Sequence, residues 1–126
     1  MRELKNRRLS EDIKRELTDI MRRLKDPRVQ GLISIVKVDL SGDMSYCKVY
    51  VSSINGIESA KTAKKGLESA SGFIRREIGQ RLTMRKTPQF IFIADDSIAK
   101  SAEIARVLHD IMPEKSSSEE ESDAQL

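Results

Sequence analysis

The sequence contains very little of several residue types, and each shortage excludes particular kinds of structure or site. Its 126 residues include one cysteine, Cys47, and one histidine, His109. A single cysteine excludes an internal disulfide, and these two residues are too few for the cysteine and histidine sets that hold zinc. Aromatic residues make up 4% of the chain and tryptophan is missing. The predicted core must therefore depend on aliphatic side chains.

Long apolar runs are also missing. No stretch approaches the ~20 apolar residues that a membrane helix needs, and the opening segment MRELKNRRLSEDIKRE lacks the apolar centre of a secretory signal. Acidic residues in that segment, such as Glu11 and Glu16, argue against a mitochondrial transit peptide. The sequence also has no P-loop, no dinucleotide-binding glycine motif and no paired nucleophile and histidine. We therefore expect a cytoplasmic protein that is no enzyme, uses no cofactor or metal and has no membrane partner.

Charge is distributed unevenly along the chain, although the net charge is only +3. Residues 1–28 carry ten Lys and Arg against six Asp and Glu, and residues 60–86 carry eight against two. Residues 113–126 carry one against five. Two basic segments point to a polyanionic partner, most simply nucleic acid. We interpret residues 1–112 as an RNA-binding domain and residues 113–126 as an acidic, disordered tail.

Hydrophobic periodicity predicts the order of helices and strands. Apolar residues at spacings of three and four predict helices, and runs rich in Ile and Val predict strands. Asp26-Pro27 ends the first helix, and Ser41-Gly42-Asp43 forms a hairpin turn. The predicted helices cover about 3–25, 60–82 and 97–112, and the strands cover 32–40, 44–52 and 89–94. This order, α-β-β-α(kink)α-β-α, predicts a two-layer α+β domain with helices on one face of a three-stranded sheet.

The second predicted helix is interrupted by Ala70-Ser71-Gly72, and serine and glycine are poor helix formers. One explanation is that the break frees backbone N–H groups that attract phosphate, while Gly72 lets a nucleic-acid backbone come close. Arg75 and Arg76 lie one turn later, where they could pair with phosphates. The other explanation is that Ala70 and Gly72 are small because another helix packs against them. The sequence leaves both explanations open.

Helical-wheel positions place basic residues along one flank of each long helix. Charged helix surfaces are common, but two basic stripes in one small domain favour an RNA-binding surface. We predict that the two stripes lie side by side on one flank of the folded molecule and hold RNA through its phosphates. The residues predicted to contact RNA are Arg7, Lys14, Arg22, Lys25, Arg28, Lys61, Lys64, Lys65, Ser71, Gly72, Arg75, Arg76 and Arg85.

Several short motifs follow one another in a specific order over residues 4–112. They are Asp26-Pro27-Arg28, DLSGDMSYCKVYVS at 39–52, the Ala70-Ser71-Gly72 kink with Ile74-Arg75, Arg85 and Pro88 before the third strand, and FIFIADDS at 90–97. Together they make the chain resemble the ribosome-binding factor A family of bacterial small-subunit assembly factors. The resemblance implies a type II KH-like fold in which the Ala-Ser-Gly kink replaces the RNA-clamping GxxG loop of ordinary KH domains.

The same resemblance implies a partner and a role. It implies binding to 16S ribosomal RNA in the immature small (30S) subunit, and participation in late maturation, ribosomal RNA processing and cold adaptation. We also expect a monomer when the protein is free. Other reactive side chains have simpler explanations: Asp95 or Asp96 caps the last helix instead of binding metal, His109 lies on the surface, and Cys47 is an inert buried thiol.

Two alternative functions remain open at this stage. Tyr46, Lys48 and Tyr50 alternate along one strand and so form a row on the sheet face away from the helices. RNA-recognition sheets stack bases on such rows, which would suit a general single-strand module acting on messenger RNA, although cross-strand packing is the favoured explanation. The other alternative is a protein-interaction domain that docks on a ribosomal protein, with weak dependence on salt.

Overall fold

A computed structural model of the protein describes residues 2–111, and side chains are described for residues 6–109. The predicted order of elements is confirmed, while the predicted acidic tail lies outside the described residues. A short 3₁₀ turn at Pro27–Val29 follows the first helix, as the Asp26-Pro27 corner suggested. The elements are α1 Arg2–Arg23, β1 Ile33–Leu40, β2 Tyr46–Ser53, α2 Ile57–Ser69, α3 Ser71–Arg81, β3 Gln89–Asp95 and α4 Ser97–Ile111.

The three strands form one sheet in the order β1-β2-β3. Strands β1 and β2 make the predicted antiparallel hairpin, and β2 pairs with β3 in parallel after the α2–α3 crossover. A register shift between Ile35 and Lys37 inserts Val36 as an extra residue in β1. Because of this bulge, Lys37 faces outward opposite Tyr50 while Val38 still faces the core.

The hairpin turn explains why β2 begins later than predicted. Met44 adopts a positive φ of 63°, a left-handed conformation that cannot belong to a strand. The carboxylate of Asp43 accepts hydrogen bonds from the Ser41 hydroxyl at 2.8 Å and from the Ser45 N–H at 3.0 Å. These bonds stabilise the turn and lower the pKa of Asp43. The second strand therefore starts at Tyr46 and not at Met44.

The core lies between one face of the sheet and helices α1, α2 and α3. It is built mainly from aliphatic side chains, as the scarcity of aromatic residues predicted, and burial of each such side chain contributes roughly 1.5–3 kcal/mol. Helix α1 packs on β1, while α2 packs on β3 and β2. The most deeply buried large side chains include Ile13, Leu17 and Ile20 of α1, Leu67 of α2, Ile74 and Ile78 of α3, and Val49 and Val51 of β2.

In the part of helix α4 whose side chains are described, residues 97–109, the first turn contacts the rest of the domain. The Ile98 N–H donates to the Ser52 hydroxyl oxygen at 3.2 Å, whereas the side chains of residues 100–109 are all exposed. The residues on its apolar side are therefore open to solvent, including Ile104, Val107 and Leu108. None of the described helices is long and apolar enough to cross a lipid bilayer.

Candidate nucleic-acid interface

The kink lies where the sequence predicted it and involves a single residue. Ala70 has φ −96° and ψ 10°, which ends α2 and starts α3. Its N–H donates to the carbonyl oxygens of Gly66 and Leu67, and its own carbonyl accepts from the Ile74 N–H at 2.9 Å. No side chain at this position caps α3. The backbone therefore bends and restarts at once, leaving the first turn of α3 without a side-chain acceptor for its N–H groups.

The two small residues at the kink differ in their surroundings, because Ala70 is partly buried against the core whereas Gly72 is exposed. A Cβ on Gly72 would meet no atom within 4 Å, so the expectation that a neighbouring helix packs against Gly72 is wrong. Close packing occurs at Gly66 instead, where a Cβ would lie 2.5 Å from Cγ2 of Val29. Gly66 thus lets the 3₁₀ turn approach α2. The exposed surface at Gly72 is compatible with close approach of a phosphate backbone.

The two basic stripes do not lie side by side, so that prediction is wrong. Helices α1 and α3 meet through the less basic flank of each. Nη1 of Arg81 on α3 contacts Glu16 Oε1 at 3.3 Å and Asp19 Oδ2 at 2.7 Å on α1. These hydrogen bonds lower the pKa of Asp19 and raise that of Arg81. Opposite charges therefore face each other between the helices, and the basic flanks point outward.

Arg75 shows where the basic flank of α3 points. Its Nη2 donates to the Thr87 carbonyl oxygen at 3.2 Å, at the entrance to β3. This contact lies on the side of α3 that faces away from Glu16 and Asp19 of α1. The basic stripe of α1 faces the opposite way, where Arg7 lines a surface groove with Val38 of β1. The helical layer consequently presents one cationic flank at each side.

Three of the predicted RNA-contacting cations are paired with carboxylates inside the protein. Lys61 and Lys64 form long, exposed contacts of 3.7 and 3.8 Å with glutamates one turn away, which weaken attraction to phosphate only slightly. Arg28 is held more firmly, because Nη2 lies 2.7 Å from Oδ2 of Asp26 and also donates to the Ser69 hydroxyl oxygen. The hydrogen bond to Asp26 raises the pKa of Arg28. Arg28 therefore fixes the 3₁₀ turn to the end of α2.

The other predicted cations carry no acidic partner among the described residues. Seven of the eight are exposed, and Lys14 is half-buried. Unpaired cations on a surface are the groups that can neutralise phosphates and release their counterions. The eight are Arg7, Lys14, Arg22, Lys25, Lys65, Arg75, Arg76 and Arg85.

The other reactive side chains behave as predicted. Asp95 accepts from the Ser97 N–H at 2.7 Å and so caps α4, and this contact lowers its pKa. Burial raises the pKa of the Cys47 thiol to about 12, which makes it unreactive near neutral pH. Lys37 Nζ lies 5.5 Å from the centre of the Tyr50 ring, a cross-strand contact of the kind we favoured.

Two side chains at the α1–α3 junction were not predicted from the sequence. Arg81 was not singled out, because its partners lie 62 and 65 residues earlier in the chain. Phe73 was not considered, although it directly follows the kink. It is 46% exposed and lies in a recess between the end of α1 and α3. A signal was available in the helical wheel, which places Phe73 away from the buried stripe.

Comparisons with known proteins agree on one family. The family model described as ribosome-binding factor A matches residues 5–108. A ribosome-binding factor A from Acetivibrio thermocellus is 44% identical over 117 residues, covering 92% of this chain and 95% of that protein. The crystal structure of ribosome-binding factor A from Thermus thermophilus is also similar, with a TM-score of 0.62 and 30% sequence identity. The match covers 70% of this chain and 92% of the Thermus thermophilus chain.

A second similar structure comes from a ribosomal complex. It is a homology model of Thermus thermophilus ribosome binding factor A fitted into the cryo-EM map of its 30S complex. It has a TM-score of 0.58 and 30% sequence identity, and the match covers 68% of this chain and 90% of the Thermus thermophilus chain. The α+β architecture of this chain is therefore the KH-like fold of these proteins.

Proposed function

Because the chain belongs to the ribosome-binding factor A family, we propose that it binds the immature small ribosomal subunit as a non-enzymatic assembly factor. It contacts 16S ribosomal RNA and assists the late maturation and processing of that RNA in the cytoplasm. The similar Thermus thermophilus protein, fitted into a map of its 30S complex, supports the choice of partner. The observation that carries the RNA contact is the set of eight cations without acidic partners in the described part of the chain.

The arrangement of these cations favours recognition by shape and charge. Phosphate contacts fix the register and orientation of a protein on nucleic acid without reading its sequence. The flank of α1 carrying Arg7 and Lys14 and the flank of α3 carrying Arg75 point in opposite directions. A single straight RNA segment cannot lie across both flanks. The protein therefore contacts two RNA segments, or one segment that bends around the helical layer, as folded ribosomal RNA allows.

The strength of binding is expected to depend steeply on salt. Each phosphate neutralised contributes about −0.7 to −0.9 to the slope of log K against log salt concentration. If all eight unpaired cations contact phosphates, the slope reaches about −6 to −7. A protein-interaction domain docking on a ribosomal protein would give a much shallower slope. The slope therefore distinguishes the RNA contact from the protein contact.

Charge reversal tests this proposal on one flank. Arg75→Glu combined with Arg76→Glu should weaken binding to protein-free 16S ribosomal RNA and make the salt slope shallower by roughly 1.4–1.8, because two phosphate contacts are lost. Both side chains are exposed, so the fold should be unchanged. The matched control is Lys100→Glu with Arg106→Glu on α4, which changes the net charge equally away from both flanks.

Binding to subunits in a cell lysate provides a second test. Sedimentation of a lysate should show the protein with free small subunits and not with complete ribosomes, and a larger share of the Arg75/Arg76 double variant should appear in the unbound fractions. Equal losses of affinity for protein-free 16S ribosomal RNA in the α4 control would show that only net charge matters and would defeat the assignment of the interface. Subunit binding by the Arg75/Arg76 variant that is as strong and as salt-dependent as that of the unmodified protein would defeat the role given to this flank.

One observation favours docking on a ribosomal protein as a second candidate. The exposed apolar side of α4, with Ile104 and Leu108 60% and 56% exposed, suits contact with protein better than contact with RNA. Replacing both residues by Ser separates the candidates. Loss of binding to intact subunits, with affinity for protein-free 16S ribosomal RNA unchanged, would favour the second candidate.

A further inference from the structure

Phe73 is an exposed aromatic side chain beside the kink. The chain has three phenylalanines, and the other two, Phe90 and Phe92, are 8% and 2% exposed in the core. Phe73 is 46% exposed in the first turn of α3. Its position on the α1 side of α3 separates it from the flank that carries Arg75. Packing in the hydrophobic core therefore does not explain why an aromatic side chain stands at this position.

The recess around Phe73 has an apolar floor and a charged rim. Ile20 of α1 and Leu24, which directly follows α1, line it together with Phe73, and Lys25 and Glu77 lie at its edge. Its volume is about 480 Å³, within the roughly 300–1,000 Å³ typical of small-molecule sites. A flat group with apolar faces can therefore enter between the end of α1 and the start of α3.

The charges at the rim leave one cation available. Arg81 and Arg23 also line the recess, but both already have acidic partners. Arg81 is shared among three carboxylates, including that of Asp19, and Nε of Arg23 lies 2.9 Å from Oδ2 of Asp19. Lys25 is exposed and has no acidic partner within residues 6–109. The recess thus combines an exposed aromatic ring with a free ammonium group at its edge. A nucleotide has the matching chemistry, because it joins a flat base to a phosphate.

We propose that this recess holds one unpaired nucleobase of RNA, stacked on Phe73, with its phosphate at Lys25. The inference rests on the proposed RNA-binding function and adds a base contact to the phosphate contacts on the two flanks. Proteins bind RNA loops and single strands by stacking splayed bases on aromatic side chains. Stacking tolerates any sequence, so the site selects unpaired RNA over duplex RNA.

Three variants separate stacking from packing. Phe73→Leu keeps an apolar side chain against Ile20 and Leu24 but removes the aromatic face, so affinity for protein-free 16S ribosomal RNA should fall by about 5- to 150-fold. The salt slope should stay unchanged, because no phosphate contact is lost. Lys25→Ala should instead make the slope shallower by about 0.7–0.9. Phe73→Trp should preserve affinity.

The tryptophan variant also reports the contact directly. Because the chain contains no tryptophan, Phe73→Trp places a single tryptophan in the recess, and its fluorescence can be excited selectively. Its emission should be quenched by a single-stranded ten-nucleotide oligoadenylate and not by a blunt duplex of the same length, in which every base is paired. Thermal unfolding of each variant checks that the fold is retained.

The outcomes distinguish this inference from the proposed function. Absence of RNA binding by the unmodified protein would overturn both. Normal RNA binding by Phe73→Leu, or equal quenching of the tryptophan by duplex and single strand, would overturn the base site alone. A Phe73→Leu defect seen only with intact subunits, and not with protein-free RNA, would also overturn it, because a ribosomal protein would then occupy the recess.

Discussion

Replacing Gly72 by alanine tests why the helix is weak at the kink. Gly72 does not adopt a positive φ, and an added Cβ meets no atom within 4 Å. Alanine should therefore fit without strain and stabilise α3 by about 0.5–1 kcal/mol, because glycine loses more conformational freedom on folding. For a domain of this size, thermal denaturation followed by circular dichroism should show a Tm raised by roughly 2–8 °C.

The same variant should bind RNA less tightly. If a phosphate approaches the backbone at Gly72, a methyl group there holds it away from the N–H groups of the first turn of α3. Losing one hydrogen bond to a charged group costs about 1.5–3 kcal/mol, which corresponds to a loss of affinity of about tenfold or more. Filter binding to 16S ribosomal RNA at a fixed salt concentration measures this. A stabilised variant with undiminished affinity would refute the close approach at Gly72.

Gly66→Ala is the matched control, because it makes the same change in the preceding helix. Here the new Cβ would lie 2.5 Å from Cγ2 of Val29 and 3.2 Å from Cβ of Arg28. Overpacking of this kind costs about 1–3 kcal/mol, against a gain of about 1 kcal/mol in helix propensity. The Tm of Gly66→Ala should fall below that of Gly72→Ala. If Gly66→Ala were the more stable of the two, the assignment of packing to Gly66 and exposure to Gly72 would be wrong.

Two further predictions concern stability and reactivity. Since Arg81 holds the pKa of Asp19 below 3.8, their contact stabilises the fold above that pH and is lost as pH falls through the lowered pKa. Arg81→Gln should therefore destabilise the protein at pH 7, and its difference from the unmodified protein in urea denaturation should shrink in acid; a difference that stayed constant with pH would contradict this. Since the pKa of Cys47 is raised to about 12, a thiol reagent at pH 8 should label the protein only in urea, and rapid labelling of the native protein would show that the thiol is accessible.

Much of the fold could be predicted because its signals are local. The apolar periods of three and four located the helices, and the low helix propensity of serine and glycine located the kink within Ala70-Ser71-Gly72. The errors occurred where the backbone departs from regular geometry. The bulge at Val36 and the left-handed Met44 depend on how two strands are paired and joined. Such features depend on contacts between strands, and the residue pattern of one strand does not predict them.

The candidate site could be predicted residue by residue but not in its arrangement. A helical wheel identifies the basic flank of α1 and of α3 separately, yet it cannot show which flank faces the neighbouring helix. That choice depends on Arg81 reaching Glu16 and Asp19. The recess beside Phe73 could not be predicted for a related reason. The helical wheel indicates that Phe73 is exposed, but it does not show that the end of α1 lies next to it.

The opposed flanks have a physical cause that also shapes how RNA is bound. Two basic flanks packed together would repel each other, whereas pairing Arg81 with Glu16 and Asp19 neutralises the α1–α3 contact and leaves the unpaired cations to be neutralised by phosphate. Sites that share no partner usually contribute additively to free energy. Charge reversal on one flank should therefore leave weaker, less salt-dependent binding through the other, and only changes on both flanks should abolish it. A single cationic patch would instead lose nearly all affinity on reversal of Arg75 and Arg76 alone.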